Sequence, residues 1–229
     1  MNKVYQIQEG NVKRNAFSLI PYTRFRNQNP NENLCIMLPG LGYNTQRPLF
    51  HYATGLCVEQ NIDVLHVNYG FAKNDQFKKL PESEQTQWMY EDVKATVEEV
   101  LKGTDYERCF LLSKSIGSIP MAIEWSKRNF IRNAFGIWLT PLLKQDLVYE
   151  ALLHTELPSL CVIGDQDHHY IEERVKILKK NELLSTVTVP NSDHSLEIKG
   201  DIAASIDALK MVMECVQAFI VENKQRRAR

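Results

Sequence analysis

The chain has 229 residues, 44% hydrophobic and 24% charged, with a net charge of −1 from 27 Lys+Arg against 28 Asp+Glu. This composition excludes a disordered or fibrous chain and suits one folded domain over residues 1–229 with a sizeable core. The near-zero charge offers no field to recruit nucleic acid or a membrane surface, and no run of 18 apolar residues is present to span a bilayer.

Residues 1–9 hold no apolar core of signal-peptide length, so the chain is expected to be cytoplasmic. Residues 4–7 alternate and residues 16–20 end at Pro21, which suits an antiparallel edge hairpin. A polar loop, 27–32, contains Pro30. Residues 34–38 are continuously apolar, the pattern of a parallel strand covered on both faces. The run stops at the glycine loop Pro39-Gly40-Leu41-Gly42-Tyr43-Asn44, and 49–58 reads as the following helix. Residues 62–67 form the next strand. Residues 70–81 are a longer loop with Phe71 and Phe77. Residues 83–101 are a helix with Met89, Val93, Val97, Val100 and Leu101 on one face, stopped at Gly103.

The strand at 109–112 and the helix at 119–126 enclose Ser113-Lys114-Ser115-Ile116-Gly117. A strand, a tight small-residue turn and a helix make a nucleophile elbow, in which the turn lifts its central side chain clear of the sheet. Ser115 is the candidate nucleophile. Strands follow at 135–139, 160–163 and 187–189, with helical runs at 145–154, 171–180 and 202–221. The last is expected to face Ile202, Ile206, Leu209, Val212, Met213, Val216 and Phe219 inward. The tail 224–229 is a basic, solvated end. Strand–helix alternation of this kind means an α/β fold, a mostly parallel central sheet with helices on both faces. In such sheets function collects at the carboxyl ends of the strands.

Three carboxyl ends carry chemistry: the elbow, Gly164-Asp165-Gln166-Asp167-His168-His169, and Asn191-Ser192-Asp193-His194-Ser195. A serine hydroxyl is a weak nucleophile until a base takes its proton. An imidazole, His194, can take that proton and return it to the leaving group. A carboxylate holds the ring in the required tautomer. The order serine, aspartate, histidine is that of α/β-hydrolases. A developing oxyanion needs fixed donors. The N–H of Ile116 opens the elbow helix, and that of Leu41 lies between Gly40 and Gly42, which let the backbone approach closely.

With Leu38-Pro39-Gly40-Leu41-Gly42, Ser113-Lys114-Ser115-Ile116-Gly117, Gly164-Asp165-Gln166-Asp167 and Asp193-His194-Ser195, the chain resembles a small α/β-hydrolase of the dienelactone-hydrolase-like, serine-nucleophile kind over nearly its whole length. The resemblance implies an acyl-enzyme on Ser115, a small acyl substrate (ester, thioester or lactone), and no cofactor or metal. The family's acid commonly follows glycine as G-x-x-D, which points to Asp167 with Asp165 as rival. Two positions depart from the family pattern: Ser113 opens the elbow in place of glycine, and Pro39 stands where many members have histidine.

The remaining candidates have two readings each. Lys114 either meets an acidic substrate group or is a solvated lysine beside the cleft. His66 lines the pocket or is a satisfied core histidine, and Tyr43 faces the pocket or packs. His168 and His169 among acidic residues read as a polar helix entrance rather than a metal site. Cys35, Cys57, Cys109, Cys161 and Cys215 read as free thiols. Residues 140–158 are too short to build a cap domain, which leaves 70–81 as the rival lid.

Overall fold

Long apolar strands must be covered on both faces, and the chain does this by threading helices between them. The computed structural model describes residues 5–28, 31–128 and 133–224. Val4, Pro30 and the basic tail beyond Lys224 lie outside the described residues. The strands are β1 (Tyr5–Asn15), β2 (Ser18–Asn27), β3 (Asn33–Leu38), β4 (Asp63–Val67), β5 (Arg108–Lys114), β6 (Ala134–Leu139), β7 (Ser159–Gly164) and β8 (Leu184–Val189). They make one eight-stranded sheet in the order β1-β2-β4-β3-β5-β6-β7-β8. The β1–β2 and β2–β4 pairs are antiparallel and the other pairs parallel.

The helices are α1 (Pro48–Glu59), α2 (Asp75–Lys78), α3 (Glu82–Val100), α4 (Ser118–Lys127), α5 (Asp146–Leu153), α6 (Glu172–Leu178) and α7 (Ile202–Lys224). Side chains alternate across each strand, so the sheet splits the core in two. Leu34, Ile36 and Leu38 of β3 join Met89, Val93 and Val97 of α3 and Met121 and Trp125 of α4 on one face. Cys35 and Met37 join Phe50 and Cys57 of α1 and Val212 and Val216 of α7 on the other. Among the described residues no helix is long and apolar enough to cross a membrane.

Four local expectations are revised. The hairpin strands are longer than the alternation suggested, and β2 runs through Pro21. The Pro21 carbonyl accepts from Asn68 N at 2.8 Å, so its nitrogen side faces β4, where the paired stretch ends at Tyr22–Val67. The missing N–H therefore costs no bond to β1, and on the β4 side it falls at the very end of the paired stretch. The 70–81 segment is not a lid of loose aromatics. Tyr69, Phe71 and Phe77 stack with centroids 4.4 and 4.8 Å apart, and Phe71 and Phe77 are buried in the core. Ile202 and Ile206 are exposed rather than inward. The buried line of α7 runs through Ala208, Val212, Val216 and Phe219, and at helical pitch Ile206 lies about 120° from Val212. Finally, β8 begins at Leu184 because Ser185 and Thr186, polar in sequence, pair as part of an edge strand.

Candidate active site

At the end of β5 the chain turns through a single 3₁₀ turn, Ser115–Gly117, into α4. Ser115 is held at φ 54°, a left-handed conformation that costs a non-glycine residue energy and persists only where its surroundings enforce it. Those surroundings are close. A Cβ on Gly117 would lie 2.2 Å from the Leu38 carbonyl oxygen, so only glycine lets the turn dock on β3. Ser113, the departure from glycine, is fully buried and fits, but its Oγ has no hydrogen-bond partner among the described residues. Ser118 Oγ donates to the Ser115 carbonyl at 2.6 Å and accepts from Leu142 N at 3.3 Å, which fixes the turn from below. Ser115 itself is partly exposed.

The strand β8 ends at Val189, and the loop that follows is folded on itself. Asn191 and Leu196 are left-handed, and Ser192 bridges to Ile198. This presents His194 with Nε2 2.8 Å from Ser115 Oγ and Nδ1 2.8 Å from Asp167 Oδ2. Asp167 is buried at the end of the β7 turn, and its Oδ1 accepts from His169 N at 2.8 Å. Burial pushes its carboxyl up, but the hydrogen bonds from His194 and the His169 backbone outweigh burial and hold it below the usual carboxylate range. The rival, Asp165, points elsewhere: its Oδ1 accepts from Asn191 N at 2.7 Å.

Across from the histidine, the glycine loop lies against the turn. A Cβ on Gly40 would be 3.3 Å from Ser115 Cβ. Gly40 N donates to the Tyr43 carbonyl at 3.0 Å and the Tyr69 hydroxyl to the Pro39 carbonyl at 2.5 Å, so the loop is tied at both ends. Leu41 N–H, between them, makes no hydrogen bond to any described residue, and its side chain is exposed. Ile116 N stands in the first turn leading into α4, where backbone donors lack intrahelical partners.

The other candidates resolve as follows. Lys114 is neither solvated nor open to substrate. It is 1% exposed, and its Nζ donates to Thr140 Oγ1 at 2.9 Å and to the His194 carbonyl at 2.7 Å. Tyr43 packs against Phe50, its hydroxyl accepts from Leu49 N at 3.1 Å, and the Lys114 ammonium lies 4.7 Å from its ring centroid. His66 is a satisfied core histidine, with Nε2 2.8 Å from Thr54 Oγ1, and burial lowers its pKa to about 4. It also lines a groove of about 970 Å³ between α1 and the β1–β2 hairpin, but Ser115 is not among the lining residues. Asp167, His168 and His194 offer one ligand atom each within 4.8 Å of one another. Two of them already form the chain to Ser115, so a cation held there would compete with it for His194. Sequence reasoning passed over Thr140 and Ser118, though each directly follows a strand or the elbow turn.

Residues 31–221 match the model of a family described as an alpha/beta hydrolase domain. The fold is similar to Est1E from Butyrivibrio proteoclasticus, at 17% identity over 95% of this chain and 99% of that chain, with a TM-score of 0.69. It is similar to a dienelactone hydrolase from Anabaena variabilis, at 13% identity over 95% and 98% and a TM-score of 0.71. A third likeness is to the Pyrococcus furiosus esterase Pf2001, at 12% identity over 95% and 93% and a TM-score of 0.68. At such identities the likeness is one of fold. No curated protein matches the chain in sequence.

Proposed function

The chain belongs to the alpha/beta hydrolase family, and on that footing we propose that it is a serine hydrolase that cleaves a small ester, thioester or lactone through an acyl-enzyme on Ser115. The observation that carries this reading is the placement of His194, 2.8 Å from both Ser115 Oγ and Asp167 Oδ2. Asp167, kept ionised, accepts from His194 Nδ1–H and leaves Nε2 free to receive the serine proton. As Ser115 Oγ bonds to the substrate carbonyl carbon, its proton passes to Nε2 and the carbonyl oxygen becomes an oxyanion. The N–H groups of Ile116 and Leu41 are the donors for that oxygen. The carbon–leaving-group bond then breaks as His194 returns the proton to the leaving atom. Water, deprotonated by the same histidine, attacks the acyl-enzyme and releases the acid.

Substrate size follows from what covers the serine. The helix α5 packs into the core through Val148, Tyr149 and Leu152, and the aromatic residues of 70–81 are buried beneath α3 rather than free to close over a cleft. Little remote surface is then available to position a long acyl chain. A fluorophosphonate probe should label the wild type and not Ser115→Ala. Rates on nitrophenyl esters should be highest for acetate and butyrate. A folded wild type that the probe does not label overturns the hydrolase reading, and rates climbing steadily to long-chain esters overturn the small substrate.

A further inference from the structure

We propose that Lys114 is a positioning residue, whose ammonium clamps the His194 loop and the glycine loop onto the nucleophile strand and so sets the approach of His194 to Ser115. The inference rests on the hydrolase reading above and assigns a role within that site.

Lysine is almost never fully buried unless paired. Here it is buried directly before the nucleophile, at the end of β5. An ammonium has three N–H donors. One goes to Thr140 Oγ1 just past β6, one to the His194 carbonyl, and the ammonium lies over the Tyr43 ring, on the glycine loop, 4.7 Å from its centroid. One side chain therefore touches three separate segments around Ser115. No donor is left for a substrate anion.

None of the groups bonded to Lys114 is a carboxylate. Asp167, Asp193 and Glu197 face it from farther off and favour its charge, but burial outweighs them and lowers its pKa to about 8. A desolvated cation held by neutral acceptors is a costly way to fill this space, and an apolar side chain of similar volume would serve packing as well. Geometry is what the cation adds. The His194 carbonyl shares a Cα with the imidazole, so moving one moves the other. A displacement near 1 Å at a catalytic group can cost about 10²-fold in rate. Losing a proton above pH 8 would leave two N–H donors and a lone pair facing three electron-rich partners, which loosens the same contact.

Lys114→Met, which keeps volume and removes the charge, tests this. The expected variant melts at or above the wild-type temperature, has a kcat on nitrophenyl acetate lower by about 10²-fold, and keeps its KM. The wild-type kcat falls above about pH 8, and this limb is absent from the variant. Thr140→Val, which deletes one acceptor and keeps the lysine, lowers kcat less and moves the alkaline limb to lower pH. The Nδ1–H proton resonance of His194 shifts in Lys114→Met, a readout that needs no turnover. Wild-type kcat and pH profile in a folded Lys114→Met overturn the clamp, as does an unmoved His194 resonance. If Lys114→Met does not fold, Thr140→Val with an unchanged pH profile overturns it. A wild type inert to fluorophosphonate overturns the hydrolase reading alone, and the His194 resonance then decides the clamp.

Discussion

A Cβ built on Gly164 falls 2.0 Å from the carbonyl oxygen of Ser192: the loop that carries Asp167 and the loop that carries His194 meet backbone to backbone. Gln166 N donates to the same carbonyl at 3.0 Å, and Asp165 Oδ1 accepts from Asn191 N. The acid and the base are thus registered by main-chain contact before their side chains meet.

Gly164→Ala should separate the two loops, because the obstructing atom is backbone and cannot swing aside. We expect a lower thermal midpoint and a kcat on nitrophenyl acetate reduced by about 10²-fold. Gly55→Ala is the control. It lies within α1 with nothing inside 4 Å of the added Cβ, so activity should hold and stability should rise by up to about 1 kcal/mol. Equal losses in both variants would show that the loop contact does not matter.

Asp167→Asn should lower kcat by on the order of 10³–10⁴-fold, since an amide cannot hold the imidazole in the tautomer that accepts the serine proton. Asp165→Asn keeps an oxygen to accept from Asn191 N and should lose less than about tenfold. Side-by-side kinetics decide, and the reverse ranking would transfer the acid role to Asp165.

His66 makes the fold acid-labile. Its pKa is about 4 when folded and about 6.5 when unfolded, so the unfolded chain binds more protons between these values. Its contribution is fully present above pH 6.5 and is lost as the pH falls through 4, up to about 3 kcal/mol in all. His169, also lowered to about 4 by burial and by neighbouring His168, acts in the same direction. His66→Gln should be less stable than wild type at pH 7 but should lose less between pH 7 and 4.5, measured as the shift in urea midpoint. Parallel shifts in the two proteins would assign the acid sensitivity elsewhere.

Strands covered on both faces are continuous apolar runs and can be read as such, which is why β3, β6 and β7 were legible. The candidate site was legible as a grouping because Ser115, Asp167 and His194 lie on the loops that leave the carboxyl ends of β5, β7 and β8, where a sheet of this topology gathers its loops. Lys114 was not. A lysine at the variable elbow position reads as solvent-facing, and the partners that bury it lie 26 and 80 residues away. The aromatic stack of Phe71 and Phe77 was hidden in the same way, since Lys73, Asn74, Asp75 and Gln76 between them mask two core anchors. The phase of α7 was misread at its start because Ile202 and Ile206 continue an apolar spacing ahead of Ala208, where the buried line of the helix begins.

The five free thiols bear on reagents rather than on folding. Cys35, Cys57, Cys109 and Cys161 are buried. Burial raises the thiol of Cys109 and takes that of Cys161 to about 12, while the contact with Cys57 and burial raise that of Cys35. Thiolates are the species that alkylate, so at neutral pH Cys35, Cys109 and Cys161 should not react in the folded protein, and Cys57, fully buried, is out of a reagent's reach. Cys215, on α7, is only partly covered. Maleimide dyes should therefore attach at that helix alone, and serine-directed and thiol-directed reagents can be used in one tube without crossing. Alkylation at more than one cysteine then becomes a count of unfolded molecules, an assay of integrity that needs no substrate.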